Sequence, residues 1–174
     1  MKIAKYAIGA ACALTALLAY AGGSPTYVVF PEGYDKSFTN YTIMNRAGSA
    51  AVAKMYANKV ALASYKKGQP AASGSVIVME VYKPKKDADG KPMVGSDGVN
   101  VTDKLAAIAV MERRTTWPGN FMAKDRVGTW GFAIYNPDGT PKKNNLSCVT
   151  CHAPLEKQDF LFSHQRLADF VTNH

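Results

Sequence analysis

The sequence predicts an α+β domain, mainly β-sheet with helices at its edges. Three observations carry this. The run Val76-Ile77-Val78-Met79-Glu80-Val81-Tyr82 is β-branched and bounded by Gly74 and Pro84, the pattern of a strand. Two further β-type runs, over 105–113 and 129–135, are separated by the breaker Trp117-Pro118-Gly119. Helical periodicity is confined to short pieces, one over 58–67 ended by Gly68 and Pro70, and one over 159–171.

The remaining elements follow in chain order. Residues 41–44 read as a short extended piece. Residues 52–58 fit either a strand or a helix, because Val52, Met55 and Tyr56 would share a helical face. Within 76–82, alternation sends Val76, Val78, Glu80 and Tyr82 to one face and Ile77, Met79 and Val81 to the other. Residues 83–100 mix lysine, aspartate and glycine, as a solvated hairpin tip or loop would. Pro137-Asp138-Gly139-Thr140-Pro141 is a turn, and 142–145 a polar approach to the motif described below. In the last helical stretch Phe160, Leu161, His164, Leu167, Ala168 and Val171 make the apolar side.

The chain of 174 residues carries a formal charge of +8. Its first 21 residues are read as an address and not as fold. Lys2 and Lys5 precede an apolar run over 6–18, followed by Ala19-Tyr20-Ala21, the order of a cleaved secretory signal. That run is short against the ~20 residues of a membrane-spanning helix. A single domain over 22–174, with no membrane span after signal removal, is therefore expected. Cleavage removes two lysines and no acidic residue, lowering the charge from +8 to +6. It also removes Cys12 and leaves Cys148 and Cys151 in an oxidising compartment, the bacterial periplasm. Aromatics are not interleaved with basic clusters as in nucleic-acid grooves, so a nucleic-acid partner is not expected. The residual positive charge suits an acidic redox protein partner.

One motif carries sharp chemistry. Cys148-Val149-Thr150-Cys151-His152 is a C-x-x-C-H run, the attachment pattern of a c-type haem. The two thiols would form thioethers to the porphyrin, and the His152 imidazole would ligate the iron. One such motif implies one covalent haem c. The rival readings fit less of the motif. A thioredoxin-like pair belongs to an early βαβ unit, and zinc needs four ligands where only His164 and His174 remain. A disulfide between the two cysteines would leave His152 without a purpose.

These pieces, in order, resemble the cytochrome P460 and cytochrome c′-β family. The resemblance rests on Phe30-Pro31-Glu32-Gly33-Tyr34, Met55-Tyr56-Ala57-Asn58 with Tyr65-Lys66-Lys67-Gly68, the segment 74–82, Trp130 to Tyr135, and the C-x-x-C-H run. It implies an antiparallel sheet with flanking helices, one haem c, and commonly a homodimer. The family has two branches. P460 proteins oxidise hydroxylamine and carry an extra bond between a lysine nitrogen and the haem edge. Cytochromes c′-β lack that bond and bind nitric oxide or similar gases in an apolar distal site.

The cross-linking lysine stands just before the glutamate of the strand, where this chain has Met79. A thioether offers no amine nitrogen, so P460-type chemistry is disfavoured, and Lys83, four residues on, does not replace it. Three functions follow. The first is binding of a small neutral gas in a pocket drawn from Phe38, Tyr41, Met79 and 106–109. The second is electron transfer, with a sixth ligand from Met44, Met55, Met79, Met93, Met111, Met122, His164 or His174. The third is redox catalysis on a small nitrogen compound, with Glu80 or Glu112 as proton acceptor. Arg113 and Arg114 are candidate partners of the haem propionates, whose two charges would lower +6 to about +4.

Overall fold

The computed structural model describes residues 23–143 and 146–174. The signal-peptide expectation, Cys12 included, and the end of the polar approach at 144–145 lie outside these residues. Five strands run in chain order through one antiparallel sheet: β1 (Thr39–Asn45), β2 (Val52–Ala57), β3 (Val76–Pro84), β4 (Thr102–Arg113) and β5 (Trp130–Tyr135). Helices α1 (Tyr34–Ser37), α2 (Lys59–Lys66), α3 (Cys148–His152) and α4 (His164–Asn173) complete an α+β arrangement. No helix among the described residues is long and apolar enough to cross a membrane.

The ambiguous segment 52–58 is a strand up to Ala57. Pairing on both sides decides it, with Met55 opposite Thr42 on β1 and Met79 on β3. An amphipathic helix there would leave both neighbours with an open edge. Asn58 then turns strand into helix. Its Oδ1 accepts from the Ala61 N–H at 3.0 Å and the Val76 N–H at 3.1 Å, and its Nδ2 donates to the Gly74 carbonyl at 2.8 Å. One side chain thus caps α2 and ties it to the start of β3. The expected loop at 83–100 folds back on itself through single bridges between Lys86 and Pro92 and between Val94 and Asn100.

Each face of the sheet carries its own core. On one face Met55, Ala57, Ile77, Met111 and Phe132 pack with Ala61 and Tyr65 of α2 and Leu167 and Val171 of α4. On the other, Val78, Ile108, Val110, Ala133 and Tyr135 pack with Val28 and Tyr34 from the N-terminal segment. The alternation expected along 76–82 holds: Val78 and Glu80 face the second core, Ile77 and Met79 the first.

Glu80 is buried in that second core and accepts three phenol hydrogens, from Tyr34 at 2.8 Å, Tyr56 at 3.1 Å and Tyr82 at 3.1 Å. Burial and the neighbouring carboxylate raise all three phenol pKa values, Tyr82 to about 12. The three tyrosines come from α1, β2 and β3, so one carboxylate joins three elements.

One expected boundary is corrected. Helix α4 begins at His164, not at residue 159. Asp159 and Phe160 stand at φ 50° and 60°, in the left-handed region, so the chain turns sharply there instead of winding. Phe160 packs over Gly128, where an added Cβ would lie 3.0 Å from its ring.

Two outcomes are expected from the Glu80 cluster. Glu80→Ala leaves three phenols without their acceptor and should lower stability by roughly 2–4 kcal/mol, read from urea unfolding. The ordinary phenol ionises near pH ~10 in the unfolded chain. Folded Tyr82 holds its proton to about 12. Its contribution is therefore fully present below the unfolded value and lost as pH rises through the folded one. The urea midpoint should fall between these pH values, and less steeply in Tyr82→Phe.

Candidate functional site

The motif sits on α3, a single helical turn between the turn at 137–141 and the bend at 159–163. Ser147 starts the helix, its Oγ accepting from the Thr150 N–H at 3.2 Å and bonding the Thr150 hydroxyl at 2.7 Å. Cys148 and Cys151, three residues apart on this turn, share a helix face. Both are free thiols, Cys148 half-buried and Cys151 exposed. Burial pushes the Cys148 thiol up to about 11.

His152 closes the turn. Its Nδ1 lies 2.7 Å from the Phe160 carbonyl oxygen. A carbonyl only accepts, so Nδ1 carries the proton and Nε2 is left with its lone pair. Nε2 has no hydrogen-bond partner among the described residues. Burial lowers the His152 pKa, against an upward pull from that carbonyl, which favours the neutral form able to ligate a metal. The ring is held between Phe132 of β5, at 4.9 Å between centroids, and the exposed Phe162, at 5.0 Å.

The helix docks on the first sheet face, where Cys148 and Val149 pack against the core that contains Met55, Ile77, Met111 and Phe132. Met79 packs against the same core. Its register partners are Met55 on β2 and Ala109 on β4, and Ala109 in turn faces Ile134 on β5. Phe132 stands in the adjacent row, opposite Met111. Met79 is thus two strands and one two-residue step from the side chain that touches His152, roughly 10 Å across and 7 Å along the sheet. The motif and Met79 share a face of the sheet.

Other expected residues divide between the two faces. Tyr41, Ala107 and Ala109 are on the face of α3; the Tyr41 hydroxyl bonds the Ser163 hydroxyl at 2.7 Å. Phe38 and Ile108 belong to the opposite core, so they line no common pocket with Met79. Parity is the reason: Ile108 and Ala109 are consecutive on a strand. Glu80 and Glu112 also lie on the opposite side. Glu80 is bound by its three phenols, and Glu112, level with Val76, takes a bidentate bond from Arg114 at 2.7 and 3.0 Å.

Arg113 is engaged as well, its Nη1 on Asp159 Oδ1 at 2.7 Å. Both arginines therefore have carboxylate partners within the chain. The histidines offered as alternative ligands are bonded at Nδ1, as His152 is: His164 Nδ1 is 3.4 Å from the Tyr65 hydroxyl, and His174 Nδ1 is 2.9 Å from the Phe170 carbonyl. Of the methionines, Met93 and Met122 are exposed, while Met44, Met55, Met79 and Met111 belong to the α3 face.

Sequence reasoning missed three contributors: the Phe160 carbonyl, Phe132 and Asp159. A carbonyl leaves no sequence signal. Asp159 does leave one, as a carboxylate opening an otherwise apolar stretch, but its partners lie far away in the chain.

A sheet that carries a C-x-x-C-H turn on one face, with one imidazole nitrogen held and the other free, is the framework of a haem-ligating cytochrome. The family described as cytochrome P460 matches residues 31–163. The chain belongs to the cytochrome P460 family, and membership makes it a haem-binding cytochrome. No curated protein matches the chain closely enough to count as a relative.

The residues present fit that cofactor. Two unpaired thiols share one helix face, and burial favours the neutral imidazole, whose Nε2 has no partner among the described residues. The nearby sheet surface is apolar and carries the small Ala107 and Ala109 beside Met79, all three partly exposed. In reduced apoprotein at pH 8, iodoacetamide is expected to modify Cys151 at least tenfold faster than Cys148, because few Cys148 thiols are ionised there and the side chain is half-buried. Peptide mass spectrometry after timed quenching measures the ratio; equal rates would contradict the placement of Cys148.

Proposed function

We propose that this protein is an exported, single-domain cytochrome with one covalent haem c, which binds a small neutral gas, nitric oxide foremost, in nitrogen-oxide metabolism. Cys148 and Cys151 would hold the porphyrin through thioethers, and His152 Nε2 would ligate the iron. Met79 would pack against the macrocycle. When bound, the haem supplies an iron centre that coordinates a diatomic ligand and exchanges one electron.

The observation that carries the reading is the chemistry of the α3 face. Met79 stands where P460 proteins have their cross-linking lysine, and its neighbours in register are Met55 and Ala109. The strand carboxylates Glu80 and Glu112 are on the other face with their partners. A surface lined by thioethers and methyl groups offers few hydrogen bonds to water or anions, which favours a neutral diatomic. It also lacks the strand-borne proton acceptor that oxidation of hydroxylamine would need.

A six-coordinate electron-transfer cytochrome is the second reading, favoured by the methionines Met44 and Met79 on the same face. The leader over 1–21 supports export to the periplasm, and the basic charge supports an acidic redox partner. A homodimer is what the family implies.

The purified holoprotein is expected to have the mass of the chain cleaved after Ala21 plus one haem. Its ferrous form should bind nitric oxide and carbon monoxide, and should lack the red-shifted Soret band of a lysine cross-link. A low-spin spectrum indifferent to both gases, with a methionine charge-transfer band, would favour electron transfer. His152→Ala should abolish the native spectrum, whereas Met79→Leu should retain covalent haem.

A further inference from the structure

Outside the motif, the Asp159 carboxylate is a densely bonded polar group on the α3 side of the sheet. Its Oδ1 accepts from Arg113 Nη1 at 2.7 Å and from Trp130 Nε1 at 3.3 Å, and its Oδ2 accepts from the Ala71 N–H at 2.8 Å. The carboxylate also helps raise the Tyr65 phenol pKa, after burial. Asp159 is 9% exposed and Trp130 fully buried. The bonded partners belong to β4, β5 and the loop after α2, so one side chain ties the bend at 159–163 to two strands and a loop.

The residue that follows Asp159 is Phe160, whose carbonyl accepts a hydrogen bond from His152 Nδ1. Both residues are in the left-handed region, at φ 50° and 60°. Asp tolerates that region; a bulky Phe does so only where its surroundings demand it. The local bonds of the bend are Asp159 N–H to Glu156 O at 3.1 Å and Phe160 N–H to Leu155 O at 2.9 Å. They anchor the bend to its own chain, whereas the carboxylate anchors it to the sheet.

We propose that Asp159 is a positioning residue for His152. By holding the bend against Arg113, Trp130 and Ala71, it aims the Phe160 carbonyl at Nδ1 and so sets how strongly the imidazole donates to iron. The proposal rests on His152 being the iron ligand. An acceptor on Nδ1–H makes an imidazole a more basic ligand, which favours ferric over ferrous iron. Loosening the bend weakens that bond, makes the imidazole a poorer donor and raises the reduction potential.

The test uses holoprotein carrying Asp159→Asn or Arg113→Gln. Three quantities are read: covalent haem content, reduction potential by optical titration, and the ferrous iron–histidine stretch by resonance Raman. Both variants are expected to raise the potential, by at least threefold in the oxidised-to-reduced ratio at fixed applied potential. Both should also lower the stretching frequency.

Charge acting alone predicts otherwise. Asp159→Asn would raise the potential without moving the stretch, and Arg113→Gln, which removes a positive charge, would lower the potential. Either result overturns the proposal. So does a plain structural latch, seen as a lower urea midpoint with potential and stretch unchanged. If Asp159→Asn does not fold, the sign of the Arg113→Gln shift decides alone. A wild-type protein without haem would overturn the cytochrome reading itself, a separate result.

Discussion

Strands β2 to β5 each send side chains to both cores, so successive side chains must satisfy two different surroundings. The rest of the structure depends on that constraint. It places Met79 and Glu80, neighbours in the chain, in unrelated surroundings: a thioether on the face of the Cys148–His152 turn, and a carboxylate among three phenols on the other. It separates Ala109 from Ile108 and puts Arg113, level with Trp130, on the side where Asp159 waits. A slip of one residue in the pairing would exchange these roles throughout.

The two faces accordingly carry different kinds of polar order. On the second face a buried carboxylate collects hydroxyl donors and joins α1, β2 and β3. On the first, an ion pair and an indole N–H hold the bend that follows the motif. Burying such groups is costly unless each is bonded, and the donors around Glu80 and Asp159 meet that requirement. The motif-bearing turn itself has little core of its own. It is positioned by the Ser147 cap, by the packing of Cys148 and Val149, and by the contacts of His152 with Phe132 and Phe160.

Much of this was legible in the sequence, because its causes are local. The β-branched run at 76–82 needs only period-two alternation to become β3 with two distinct faces, and Asn58 with Gly68 brackets α2 through cap chemistry. The C-x-x-C-H run likewise specifies its own spacing. The start of α4 was misread because the apolar period continues back through Phe160 and Leu161. Nothing local announces that residues 159 and 160 take the left-handed region. The pocket drawn from Phe38 and Ile108 failed for a related reason, since hydrophobicity does not say to which core a residue belongs.

The amino-acid sequence alone carried the two-faced strand at 76–82 and the paired thiols with their histidine. These are properties of residue type and short spacing. Long-range contacts were needed to place Glu112 away from the motif, to pair both arginines with carboxylates of the chain, and to set a carbonyl eight residues on against His152 Nδ1. Each of those facts depends on contacts between segments far apart in sequence, and these exist only once the sheet has paired and its two faces have been covered.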